Sequence, residues 1–284
     1  MINLRPSPAS SPPARLLLQT AGRCDLDPQR LLAAFAGQRR RFVAILQGFG
    51  ADDWAAPTRC TAWSAQEVVR HLCDGNAIGI ALGPDDGLLD VTEGFDPRTS
   101  PRRWLTSSAG ESPSATLDRF AATTSELLAL AGDRLAQGRR FDVHLPYGPM
   151  DWTVLLLHGF WDSWIHERDV LLARGEEHPT DGAATAYATA YGFFIAATVA
   201  SLFGGQVQEK LTLGGDGGGI FEVDSPGNVT FTVLRVTGAG PRAAEVADAL
   251  AGRAPLADAL PELPDHSRAA LSRMADFFHT PAEP

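Results

Sequence analysis

Cysteine is scarce: Cys24, Cys60 and Cys73 are the only three in 284 residues. They cannot all pair within one chain, and their spacing makes neither a disulfide framework nor a four-cysteine zinc site. A reducing, cytoplasmic setting is the expectation. Positive charge is also in short supply, with 24 Lys and Arg against 34 Asp and Glu and a formal net charge of -10. That balance excludes a general role on nucleic acid, which requires a basic surface. The one basic run, Arg39-Arg40-Arg41, reads as the solvated face of a helix. Clean apolar runs are missing too. Ala183 to Phe203 is interrupted by Thr, Tyr, Ser and Gly and falls short of the ~20 apolar residues of a membrane span. Met1 to Pro13 has no apolar block followed by a cleavage site, so residues 1–25 are expected to be a disordered leader, with no membrane partner.

What is present is enough apolar residue, 44%, to build one large core or two smaller ones, and size favours two domains. Leu31, Leu32, Phe35, Phe42, Ile45 and Leu46 recur at helical spacing after an Asp27-Pro28 start, predicting a helix from Pro28 to about Gly48. Ser64 and Glu67 form a capping box for a helix through about Ile80, with His71 near its middle. Gly83 to Pro113 reads as a long loop with one short helix, a length more often functional than idle. Helical patterns resume over Ser114 to Leu135, over Trp152 to about Ala173 behind an Asp151 cap, and over about Asp181 to Leu202.

Beyond Gln206 the texture changes to short β-branched runs, Leu211 to Leu213, Ile220 to Val223 and Val229 to Val236, divided by Gly-rich turns. Two helical segments follow, Pro241 to Leu250 and Asp265 to Phe278. The reading is mainly α: a helical domain over 26–205, then a small α+β domain over 206–284. The run Gly214 to Gly219 lacks the Lys-Ser/Thr of a phosphate loop and reads as a hairpin turn.

His158, Asp162 and His166 recur every four residues, which puts them on one stripe of a helix among apolar neighbours. Unpaired charge there is costly, and a cation would offset the cost. The three span roughly 12 Å of helix axis, too far for all to reach one ion, so a second helix must contribute. His71, a lone histidine among Val68, Val69 and Leu72, is the best donor. His71, Asp162 and His166 then make a two-histidine, one-carboxylate set suited to zinc or another first-row divalent ion. The same spacing also fits hydrogen-bonded core histidines.

Several residues cluster around that set. Asp169 lies near the same face and is a candidate to orient a ligand imidazole, or to pair with Arg168 or Arg70. His158 is a candidate acid or base lining a substrate cavity. Cys73, two residues after His71, diverges from it by about 200° on the helix and, like Cys60, reads as an inert thiol. Arg235 and Arg242 are candidates to grip a carboxylate, with solvent exposure the simpler reading.

The segment Ala51-Asp52-Asp53-Trp54-Ala55-Ala56-Pro57-Thr58-Arg59-Cys60, then Trp63-Ser64 and Val68-Val69-Arg70-His71-Leu72, resembles the first metal-binding region of the mycothiol-dependent maleylpyruvate isomerase-like proteins, within the DinB-like metalloenzyme superfamily. Asp162 through Val170 resembles that family's acid, three residues, histidine, two residues, aspartate pattern. The C-terminal part, with Gly238, Ala244, Val246, Leu250 and Gly252 to Leu256, is similar to its small sterol-carrier-like α+β domain. The resemblance implies a DinB-like bundle, metal ligation by His71, Asp162 and His166, and mycothiol as thiol cosubstrate. Asp162 departs from the pattern: the family usually carries glutamate there, an arm longer by about one bond, ~1.5 Å.

From these expectations a function class follows. A metal-bound thiol is deprotonated near neutral pH, and the thiolate reacts. The leading expectation is a mycothiol-dependent S-transferase or thiol-exchange enzyme acting on a small electrophile, in detoxification or specialised biosynthesis, with zinc as the metal. Cis-trans isomerisation of a maleylpyruvate-like diacid is the alternative, and a non-catalytic carrier or regulatory module is the third reading.

Overall fold

The computed structural model describes residues 15–19, 24–81, 96, 99–145, 148–179, 181–233 and 240–278. In chain order its first half contains β1 (Arg15–Leu18), β2 (Cys24–Asp25), α1 (Pro28–Leu46), α2 (Ala51–Ala55), α3 (Ala65–Ala81), α4 (Ser100–Ser107) and α5 (Pro113–Ala136). Then come β3 (Asp142–Leu145), β4 (Gly148–Asp151), α6 (Trp152–Ala173), α7 (Gly182–Leu202), β5 (Gln208–Leu213), β6 (Gly219–Asp224), β7 (Asn228–Val233), α8 (Ala243–Leu250), α9 (Leu256–Ala259) and α10 (Asp265–Phe278). The described residues form two compact units: 36–178 with 275–278, and 15–35 with 179–274.

The first unit is a helical bundle, and its helices start where the sequence supplies caps. The Ser64 N–H donates to Glu67 Oε2 at 2.8 Å while the Glu67 N–H donates back to Ser64 Oγ at 3.3 Å, closing the capping box of α3. Ser112 Oγ accepts from the Ala115 N–H to start α5. Asp151 Oδ1 accepts from the Thr153 N–H to start α6. Helix α3 packs against α2, α4, α5 and α6. Its apolar side, Val68, Val69, Leu72 and Cys73, joins Phe42, Leu46, Trp54, Trp63, Leu105, Phe120 and Val170 in one buried cluster. Each large side chain buried there contributes about 1.5–3 kcal/mol over leaving it exposed.

A polar knot lies within the bundle. Glu167, completely buried, accepts from Arg41 Nε at 2.9 Å and Nη2 at 2.7 Å and from Gln38 Nε2 at 3.1 Å, and sits 3.1 Å from His178 Nε2. Gln38 also accepts from the Ser163 hydroxyl at 2.8 Å. Burial pushes the Glu167 carboxyl up, but the bonds from His178 and Arg41 together outweigh it and hold the group below its ordinary value. Burial lowers His178 despite Glu167, so a neutral His178 bonds to an ionised Glu167.

The second unit is built on a five-stranded antiparallel sheet in the order β2-β1-β7-β6-β5. Phe221 and Phe231 stand opposite each other across β6 and β7 with ring centroids 4.8 Å apart, and Phe193 of α7 lies 5.6 Å from Phe221. Helix α7 packs on β1, β6, β7 and α8. Among the described residues it is the one helix long and apolar enough to cross a membrane, and its apolar window is wholly buried. The Gly-rich run forms the β5–β6 turn, as expected. Gly217, at a φ of +78°, sits against the first turn of α7, where a Cβ would meet Ala186 N and Thr185 Cβ at 2.7 Å.

The mainly α architecture with a small α+β part is the one expected, with two corrections. Residues 15–18 and 24–25 are strands rather than disordered leader: β1 pairs along β7, Arg15 opposite Thr232 through Leu18 opposite Val229, and buries Leu16 and Leu18. The unit boundary also moves, because α7 belongs with the sheet, so the break falls near residue 178 rather than 205. The β3–β4 hairpin and the short helices α2 and α9 carry no sequence expectation. Within the long loop α4 supplies the expected short helix, while 82–95 and 97–98, like residues 234–236 for which a strand is expected, lie outside the described residues.

Candidate metal centre

His71 sits in the second turn of α3, and Asp162 and His166 are one turn apart on α6. Packing α3 on α6 brings the three together. His71 Nε2 lies 3.3 Å from Asp162 Oδ2 and His166 Nε2 lies 3.5 Å from Asp162 Oδ1. One ligand atom from each residue falls within 4.8 Å of those from the others. The imidazoles meet edge to face, 5.2 Å apart at 78°. Asp162, with one carboxylate oxygen toward each ring, reaches both despite its short arm. Its burial raises the carboxyl pKa, but the two imidazoles outweigh this and hold it far below the usual carboxylate range.

The donor set fits a divalent cation. Ligand atoms held at 2.0–2.2 Å by a tetrahedral ion stand about 3.4 Å apart, the size of both imidazole-to-carboxylate separations. His166 also has the partner that metal-bound histidines usually have: its Nδ1 lies 3.0 Å from Oδ2 of Asp169, a fully buried residue. That bond directs Nε2 toward Asp162. His71 Nδ1 is buried with no hydrogen-bond partner among the described residues, and its ring is held by packing on Trp63 at 4.8 Å.

The other candidates separate. Asp169 pairs with Arg59, at 3.4 Å between Oδ1 and Nε, while Arg70 donates to Ser108 Oγ at 2.9 Å. His158 lies on the stripe one turn before Asp162, partly exposed, its ring 6.0 Å from Trp161. Low-polarity surroundings depress its pKa against the raising influence of Asp162, so it is neutral at pH 7. Cys73 is buried in the apolar cluster, and burial pushes its thiol up to about 12. Arg242 is exposed beside Glu245, 3.9 Å away, and Arg235 lies outside the described residues.

Two residues around the centre were not singled out by sequence reasoning. Trp63 packs on both, 4.8 Å from His71 and 5.8 Å from His166, and Arg59 reaches Asp169. Both stand in the Pro57 to Ser64 segment, whose motif residues were the available signal.

A helical bundle that gathers two imidazoles and a carboxylate from two helices, followed by a small α+β part, defines a DinB-like protein. Residues 25–171, just over half of the chain, match the family described as mycothiol maleylpyruvate isomerase N-terminal domain, and the chain belongs to that family. No curated protein and no solved structure matches the chain.

Proposed function

We propose that this protein is a metal-dependent, mycothiol-utilising enzyme that transfers or exchanges the thiol on a small electrophilic metabolite. The observation that carries the reading is the convergence of His71 Nε2, His166 Nε2 and the Asp162 carboxylate, with Asp169 behind His166. A divalent cation held there, zinc by the chemistry of the donors, would act as a Lewis acid and favour the deprotonated form of a bound thiol. His71, Asp162 and His166 would hold that cation with three protein ligands, the number of catalytic rather than structural zinc sites.

Asp169 fixes the His166 ring, and Trp63 excludes water from the inner side of both imidazoles. His158, neutral and partly exposed, takes the thiol proton on an imidazole nitrogen as the thiol binds, so that the thiolate sulfur then bonds to the electrophilic carbon. In transfer, the leaving group departs with its bonding pair. The family match supports a second reading: reversible thiol addition to a conjugated double bond, rotation and loss of the thiol, which isomerises a maleylpyruvate-like diacid.

Incubation of the zinc-loaded protein with mycothiol and candidate electrophiles, read by mass and by chromatography, separates the two. A thiol adduct as product supports transfer; an isomer of unchanged mass supports isomerisation. No product from any candidate, with mycothiol binding indifferent to His71→Ala and His166→Ala, would favour a non-catalytic carrier.

A further inference from the structure

The segment between α2 and α3 touches both sides of the centre. Pro57 and Ser64 pair across it as an isolated antiparallel bridge. The Thr58 hydroxyl lies 3.1 Å from the Cys60 carbonyl and 3.0 Å from the Trp63 carbonyl, and accepts from the Cys60 N–H at 3.1 Å. A segment knitted this way holds its side chains in fixed directions. Trp63 faces the two imidazoles. Arg59 instead faces Asp169, and it is attached there twice: its backbone N–H donates to the Asp169 carbonyl at 3.2 Å, and its Nε stands 3.4 Å from Asp169 Oδ1. The other oxygen of the same carboxylate, Oδ2, is the one on His166 Nδ1.

We propose that Arg59 is a positioning residue of the metal centre, acting on His166 through Asp169. It is not itself one of the three residues of the set. A carboxylate has two oxygens and can rotate about its Cβ–Cγ bond; the guanidinium fixes one oxygen, which fixes the other against His166. The backbone bond holds the Asp169 end of α6 against the segment at the same point. The inference rests on the metal reading above and adds to it a residue outside the ligand set.

Losing a partner behind a metal-bound histidine typically costs 10–100-fold in metal affinity. Arg59 stands one step further out and leaves Asp169 in place, so Arg59→Ala is expected at the lower end, about tenfold. The test is Zn²⁺ affinity by competition with a chromophoric chelator, together with the visible absorption of the Co²⁺-substituted protein. It compares wild type, Arg59→Ala, Arg59→Lys, Asp169→Asn and the Arg59→Ala/Asp169→Asn double variant.

The expected result is weaker Zn²⁺ binding and a shifted Co²⁺ band in Arg59→Ala, recovery of most of both in Arg59→Lys, and a double variant no worse than Asp169→Asn alone. Wild-type affinity and band in Arg59→Ala, or additive losses in the double variant, would overturn the inference and leave the metal reading standing. Failure of the wild type to bind Zn²⁺ would overturn both. Should Arg59→Ala not fold by circular dichroism, Arg59→Gln, which keeps the backbone tether and a neutral donor, is read in its place.

Discussion

Replacing Glu167 with alanine removes the acceptor at the centre of the polar knot. Four donor atoms face that carboxylate: two of Arg41, one of Gln38 and one of His178. They do not lose equally. The Arg41 side chain is 26% exposed and regains water, and Gln38 Nε2 keeps the Ser163 carbonyl at 3.3 Å. His178, with a side chain only 2% exposed, regains little. A buried donor left unsatisfied costs about 1–3 kcal/mol. With the Arg41 charge back in water and His178 neutral, a destabilisation of about 1–3 kcal/mol is expected. Glu167→Gln, which keeps an acceptor and the shape, is expected to lose less than half of that.

All six tryptophans, Trp54, Trp63, Trp104, Trp152, Trp161 and Trp164, fall within residues 36–178. Urea unfolding followed by tryptophan fluorescence therefore reports the unit that holds Glu167. The sign of the pH dependence follows from the depressed carboxyl. Its contribution is fully present above the unfolded glutamate pKa near 4.3 and is lost as pH falls through the lower folded value. Wild type and Glu167→Gln should thus converge in stability as pH drops below about 4. A Glu167→Ala loss under about 1 kcal/mol at pH 7 would refute the reasoning.

Leu16→Ala should destabilise the sheet unit by about 2–5 kcal/mol, because the side chain is completely buried on β1; faster hydrogen exchange along β7 is the readout, and unchanged exchange would contradict the pairing. Cys73 should stay unmodified by a thiol reagent in the native protein: with its thiol pushed up from 9.0 to about 12, its thiolate fraction is roughly a thousandfold lower. Peptide mapping of the alkylated protein, with labelling at Cys73 before unfolding, would contradict that. Gly217→Ala should destabilise the sheet unit in thermal unfolding, since it adds a Cβ at a positive φ and against α7; an unchanged melting temperature would show that the turn has room to give.

The helices were legible in the sequence because their signals are local. Asp151 caps α6 and the Ser64–Glu67 box opens α3 where the residues indicate. The grouping of His71, Asp162 and His166 was legible because two of them repeat on one helix and the third is a lone histidine on another. Strand β1 was not legible: Arg15 to Leu18 is four residues in a Pro- and Ser-rich stretch, and its partner β7 is more than two hundred residues away. The placement of α7 was missed for a related reason. It is apolar on every face, so its periodicity does not say what it packs against, and its contacts with β6, β7 and α8 come from tertiary structure. Arg59 was hidden because it stands in a non-helical segment 110 residues before its partner Asp169, whereas sequence spacing offered Arg168 and Arg70.

The central claim is that His71, Asp162 and His166 hold one divalent cation. Its most direct test is metal analysis after equilibrium dialysis of wild type and the three single variants His71→Ala, Asp162→Ala and His166→Ala against limiting Zn²⁺. The account predicts one equivalent of zinc in the wild type and a large loss in every variant. No bound zinc in the wild type, or a full equivalent retained by all three variants, would contradict it.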